Sequence, residues 1–215
     1  MDNTVFRGKR NKVWLEGGLV RKLILPGADR DDPASAALKE GEALRLLRAE
    51  GVAVPRLTSV EGALLTMEYV AGITLTDEIE RAERGQSSFS PGTLAGLIAD
   101  WFVRFYAALP DGVRRGDVNC RNFILTEEGR LFSVDFESLP QGRKEEDLGR
   151  LAAYILTYDP PYTEYKLKLV DELTNRFAEL FDVDRAFALD AQAEEIKNIN
   201  QRRCKKTPYI SHSHG

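Results

Sequence analysis

The sequence predicts an α+β chain in which strands and helices are segregated. Two observations carry this. Alternating and β-branched runs crowd residues 4–25 and 58–68, with one helical stretch between them. After residue 76 the apolar positions recur mainly at helical spacing. A third observation places the chemistry. The polar loop Arg115-Gly116-Asp117-Val118-Asn119-Cys120-Arg121-Asn122 runs into a short hairpin, Phe123–Leu125 and Leu131–Val134, that ends on Asp135. Two acids and one amide then share the rim of one hairpin.

A chain of 215 residues fits one or two compact domains and can bury a sizeable core. Hydrophobic content of 43% and charged content of 30% are those of a soluble globular protein. The net charge of −4 argues against a nucleic-acid partner. Two cysteines, Cys120 and Cys204, are too few for a disulfide framework, and reduced thiols in the cytoplasm are expected. The N-terminus has no signal-peptide core. No window approaches about 18 apolar residues, so no membrane span is expected.

In chain order, Val13-Trp14-Leu15 and Leu19–Leu25 flank Glu16-Gly17-Gly18 and read as a hairpin. Lys22 shares a face of the second strand with Val20 and Ile24, where a cation needs a partner. Asp32-Pro33 reads as helix cap and first helical position, with the helix stopping at Gly51. Two strands surround Gly62, and Met67–Gly72 connects onward to a short charged helix at 76–84. Ser90-Pro91 caps the next helix, whose Leu94, Leu97, Ile98, Trp101, Phe102, Phe105 and Leu109 form a core stripe. Glu127-Glu128-Gly129 turns the site hairpin. A helix starting near Glu145 carries Asp147. It breaks at Asp159-Pro160-Pro161, and two final helices are expected to form a small cap. The basic end from Arg202 to Lys206, with His212 and His214 beyond it, reads as a solvated tail.

Asp117-x4-Asn122 followed by Asp135-Phe136-Glu137 resembles the catalytic and metal motifs of the protein-kinase-like superfamily, most nearly its aminoglycoside and choline phosphotransferase branch. The resemblance covers about Val13 to Tyr154. It implies a two-lobed kinase-like fold, with a small antiparallel-sheet N-lobe over 1–70 and a mostly helical C-lobe over 71–215. By resemblance, Asp117 is the catalytic base, and Asn122 and Asp135 hold magnesium. Lys22 contacts the nucleotide phosphates and pairs with Glu40, Glu42 being the fallback. The Glu68 carbonyl and the Val70 amide meet the adenine edge, with Met67 on the back wall. Gly8-Lys9-Arg10-Asn11-Lys12 stands where the family carries its phosphate-covering loop, with one glycine only. Asp147 is implied to be structural, and Glu137 is a candidate second metal group. Cys120 reads as packing.

One position departs from the family. Arg115 replaces the usual histidine two residues before the base, either bracing the loop through carboxylates or facing substrate. The expected cofactors are ATP and Mg2+, and the expected activity is transfer of the γ-phosphoryl group to an alcohol. The leading acceptor class is a small molecule or glycan. The alternatives are a serine/threonine protein kinase and a non-catalytic nucleotide-binding module.

Overall fold

The computed structural model describes residues 5–7, 11–27 and 32–204, with the backbone alone at 5–7. The expected phosphate-covering loop falls mostly outside the described residues at Gly8–Arg10, as does the tail beyond Cys204.

The first sheet is antiparallel, with spatial order β1 (Val5–Arg7), β2 (Asn11–Glu16), β3 (Leu19–Ile24), β5 (Leu64–Glu68), β4 (Leu57–Glu61). Gly17 and Gly18 form the two-residue β2–β3 turn at φ 59° and 76°, where a side chain would be strained. Helix α1 (Pro33–Ala49) packs beside this sheet. Its first turn is capped by the Asp32 carboxylate, which accepts from the Ser35 amide at 3.1 Å. The face Ala37, Glu40, Gly41, Leu44 and Leu47 is buried, so one glutamate is carried inward with the apolar stripe.

The second sheet is small. β6 (Ile73–Thr74) pairs with β7 (Phe123–Leu125), which pairs with β8 (Leu131–Ser133). β6 is absent from the sequence expectation, because two residues give no readable alternation. Helix α2 (Leu75–Glu83) follows through a Thr74–Asp77 capping box.

The C-terminal core is built on α3 (Pro91–Ala107). Trp101 stacks on Phe105 at 5.1 Å and meets Phe123 edge-on, which packs the site hairpin against this helix. Three more helices complete it: α4 (Lys144–Thr157), α5 (Glu164–Phe181) and α6 (Arg185–Cys204). The expected helical cap is corrected here. α5 packs on α3 through buried Leu169, Leu173 and Phe177, and α6 packs on α4. The i, i+4, i+8 spacing of those three residues makes α5 a core helix. No helix among the described residues is long and apolar enough to cross a membrane.

Candidate active site

Strand register and helix phase bring the site together. In β3, Lys22 sits opposite Val13 of β2 and Leu65 of β5, on the face that α1 approaches. Its Nζ lies 2.9 and 2.7 Å from the two Glu40 carboxylate oxygens, and 2.7 Å from Asp135 Oδ1. Glu137 Oε1 is 3.4 Å away. Glu42, the fallback partner, is exposed on α1. Arg21, on the opposite face, donates to Thr66 Oγ1 and pairs with Glu16.

Burial by itself drives the Lys22 ammonium downward. The attraction of Glu40, then of Asp135, outweighs it and holds Lys22 above its ordinary range. Burial raises the Glu40 carboxyl, with Lys22 opposing and Asp135 reinforcing the rise. Glu40 Oε1 also accepts from the Phe136 amide at 3.1 Å. One buried glutamate therefore joins the β3 lysine to the segment after β8.

Asp117 is exposed at the rim. The glycine before it has φ 76°, and a Cβ there would lie 2.7 Å from the Pro140 ring. Only glycine fits this turn. Asn122 closes a short 3-10 turn (Cys120–Asn122), and its Nδ2 donates to the Asp117 carbonyl at 3.4 Å. That leaves the Asn122 amide oxygen available as a neutral acceptor. Asn119 is a hub: its Oδ1 accepts from the Arg121 amide at 3.0 Å and from the Tyr158 hydroxyl at 2.6 Å.

Arg115 takes neither expected role. Its residue is 0% exposed. Its guanidinium donates to the Val134 and Asp135 carbonyls at 2.7 and 2.8 Å, and to Ser133 Oγ at 3.3 Å. It also lies 4.3 Å from the Phe136 ring centroid. The loop is thus braced through backbone carbonyls and a ring instead of carboxylates. Asp135 sits at φ 68°, a left-handed conformation that Asp tolerates better than most residues, and Arg115 holds the carbonyls on both sides of it. Asp147 is fully buried and accepts from the Arg115 amide at 2.6 Å, the Gly116 amide at 2.9 Å and the Tyr106 hydroxyl at 2.9 Å. Cys120 is buried, and desolvation pushes its thiol up to about 12, which disarms it as a nucleophile.

Met67 is buried at the end of β5, and Glu68 and Val70 enter the connection to β6. The Glu68 carboxylate accepts from the Arg56 amide at 2.9 Å. A cleft of about 270 Å³ runs along Glu68–Gly72 and the β7–β8 turn. Its lining includes neither Lys22 nor Asp135, so it is separate from the lysine–carboxylate cluster.

Sequence reasoning gave Asn11 no role of its own in the cluster. Its side-chain amide donates to Glu137 and ties β2 to the segment after Asp135. The signal was present in period-2 alternation, which puts Asn11 and Val13 on the face of Lys22. Tyr158 had no such signal, because it lies 39 residues from Asn119.

No family model matches the chain. It is 32% identical over 109 residues to the EKC/KEOPS complex subunit BUD32 of Encephalitozoon cuniculi (strain GB-M1), a match taking in 51% of this chain and 50% of that protein. The matched stretch therefore spans about half the length of that relative. The Rio2 kinase from Chaetomium thermophilum superposes over 95% of this chain and 72% of its own, with a TM-score of 0.51 at 15% identity. The chain has a protein-kinase-like fold. A second Rio2 structure from that organism, an ADP/Mg2+-phosphoaspartate complex, matches 90% of this chain and 61% of its own at a TM-score of 0.48 and 18% identity. The superposition at a TM-score of 0.51 carries the kinase-like fold and nothing narrower. None of these likenesses lends support to the narrower aminoglycoside and choline phosphotransferase branch.

Proposed function

We propose that this chain is a phosphotransferase that moves the γ-phosphoryl group of ATP to a hydroxyl, with a protein serine or threonine as acceptor. The observation that carries the reading is the single Lys22 ammonium shared by Glu40 and Asp135. Such a cation stands ready to meet nucleotide phosphates beside a metal-binding carboxylate.

The donor set fits Mg2+. Asp135 offers a hard anionic oxygen, and Asn122 a neutral one. When bound, the ion would offset the charge of the phosphates. The nucleotide lies between the lobes, 1–70 and 71–215, with its adenine edge at the Glu68 carbonyl and the Val70 amide and Met67 behind it. Asp117 accepts a hydrogen bond from the incoming hydroxyl and takes its proton as the bond to the γ-phosphorus forms and the bond from that phosphorus to the bridging oxygen breaks, releasing ADP. Asn122 holds the Asp117 carbonyl, and Asp147 fixes the two amides before it.

The choice of acceptor reverses the sequence expectation of a small molecule or glycan. α5 and α6 pack into the C-terminal core instead of enclosing the rim, and Asp117 is exposed. An open rim suits a large acceptor. The similarity to a kinase and to a subunit of a protein complex points the same way.

The test is a thermal shift with Mg-ATP, followed by labelled-phosphate transfer to a protein substrate. Nucleotide at 100 times its dissociation constant should add about 2.7 kcal/mol. The shift should require Mg2+ and vanish in Asp135→Asn. A Mg-dependent shift without transfer to any acceptor would favour the non-catalytic binding module. No shift at millimolar nucleotide would sink the reading.

A further inference from the structure

We propose that Glu137 discriminates between nucleotide states: its carboxylate beside Lys22 opposes a metal-free triphosphate and so reserves the site for the Mg2+-bound form. The inference rests on the nucleotide-binding part of the phosphotransferase reading and adds a specificity-determining residue to it.

Among the described residues, three carboxylates meet the Lys22 ammonium: Glu40 and Asp135 at 2.7 Å each, and Glu137 at 3.4 Å. They are not equally placed. The side chains of Lys22 and Glu40 are 7% and 2% exposed, whereas those of Asp135 and Glu137 are 38% and 27% exposed. An anion that reaches Lys22 from solvent therefore meets the two outer carboxylates along with the ammonium. Asp135 is the carboxylate assigned to the metal. Glu137 has no such task, and its charge acts on whatever Lys22 binds.

Glu137 is also held in place. Asn11 is buried in β2, and its side-chain amide donates to the Glu137 carboxylate. An amide is a neutral donor, so it orients the carboxylate without cancelling its charge. Strand pairing sets this up. Asn11 stands opposite Ile24, which is one same-face step along β3 from Lys22. Arg115, the buried cation before Asp117, is spent on the Val134 and Asp135 carbonyls.

A triphosphate without metal keeps its full negative charge as it closes on Lys22. It is drawn by the ammonium and opposed by Glu137. Mg2+ on the phosphates cancels part of that charge, and the opposition falls with it. Glu137 thus separates the two states by repelling the wrong one more strongly.

The experiment is calorimetric titration of the full chain with the β,γ-imido analogue of ATP, once with excess Mg2+ and once with a chelator. Glu137→Gln keeps an acceptor for Asn11 and removes the charge. It should tighten the metal-free complex about tenfold and the Mg2+-bound complex about threefold, so the preference for the metal-bound form drops about threefold. Glu137→Asp retains the charge and should hold the wild-type preference. Asn11→Ala releases the carboxylate and should lower the preference by less than Glu137→Gln does. Both changes should fade as salt is raised. A Mg2+-bound complex that weakens in Glu137→Gln while the metal-free one is unchanged would make Glu137 a metal ligand and overturn the proposal. Parallel weakening of both complexes, an unchanged preference, or metal-free binding below detection in wild type and Glu137→Gln alike would also overturn it, and the nucleotide site would stand. Wild type that binds the analogue under neither condition overturns both.

Discussion

Lys22 Nζ lies 2.7 Å from a carboxylate oxygen of Glu40 and 2.7 Å from one of Asp135, residues 18 and 113 positions away. One ammonium therefore ties the sheet, α1 and the segment after β8. Lys22→Met would leave Glu40 buried without its cation. Breaking a buried pair from one side costs about 3–5 kcal/mol. The double variant Lys22→Met/Glu40→Gln should recover part of that loss, because the uncompensated charge is gone. Chemical denaturation of the four proteins gives the coupling, and strictly additive losses would show that the pair does not act as a unit.

Asp117 is exposed and makes few contacts, so its substitution separates chemistry from folding. Asp117→Asn should leave the denaturation midpoint nearly unchanged and keep nucleotide binding. Phosphoryl transfer should fall by about 10²–10⁴-fold, the usual weight of a positioned general base. Turnover near the wild-type level would remove Asp117 from the proton path.

How far these relationships could be read beforehand depended on their range. Asp32 as cap and the Gly17-Gly18 turn are local choices of side chain and dihedral, and both stand in the structure as the sequence suggests. The Lys22–Glu40 contact is implied by the family resemblance, and two short periods, 2 in the strand and 3.6 in the helix, account for it by turning one charged residue of each inward. Arg115 was not legible. Its acceptors lie 18 to 20 residues away, at the end of β8 and just after it, and nothing local tells a buried arginine from a solvated one. α5 was misread as a cap for a different reason. The sequence marks where it begins and ends, and only the structure shows that Leu169, Leu173 and Phe177 turn it onto α3.

Arg115 therefore calls for its own variants. Arg115→Met removes three hydrogen bonds and leaves the Val134 and Asp135 carbonyls without that donor. A loss of about 2–4 kcal/mol is expected, since removing a desolvated cation offsets part of the cost. A positioning role predicts more than lost stability. The Mg2+ concentration needed for the nucleotide-induced thermal shift should rise in Arg115→Met at temperatures where it remains folded. Arg115→His, with one ring donor in reach of a carbonyl, should restore part of the metal response. A variant that loses stability but keeps the wild-type Mg2+ dependence would confine Arg115 to packing.

Alkaline pH tests the packing of the C-terminal helices and of the loop that carries Asp117. Desolvation pushes the Cys120 thiol up to about 12, and also raises Tyr154, Tyr158 and Tyr165 to about 12, Glu195 adding to the shift of Tyr154. Each is an acid that ionises later in the folded than in the unfolded chain. Their contribution is whole below the unfolded values, roughly 8.5 for a thiol and 10 for a phenol. It is lost as pH climbs towards 12, by about 1.4 kcal/mol per unit for each group ionised only when unfolded. Stability from urea melts should hold from neutral pH to about pH 8 and then fall progressively, as protons leave the unfolded chain first. Cys120→Ala should remove the earliest part of the fall. At pH 8 a thiol-alkylating reagent should label exposed Cys204 and spare Cys120. Equal labelling of both in the native protein would mean that the 3-10 turn after Asp117 opens readily, and would undo the rigid-loop account of the site.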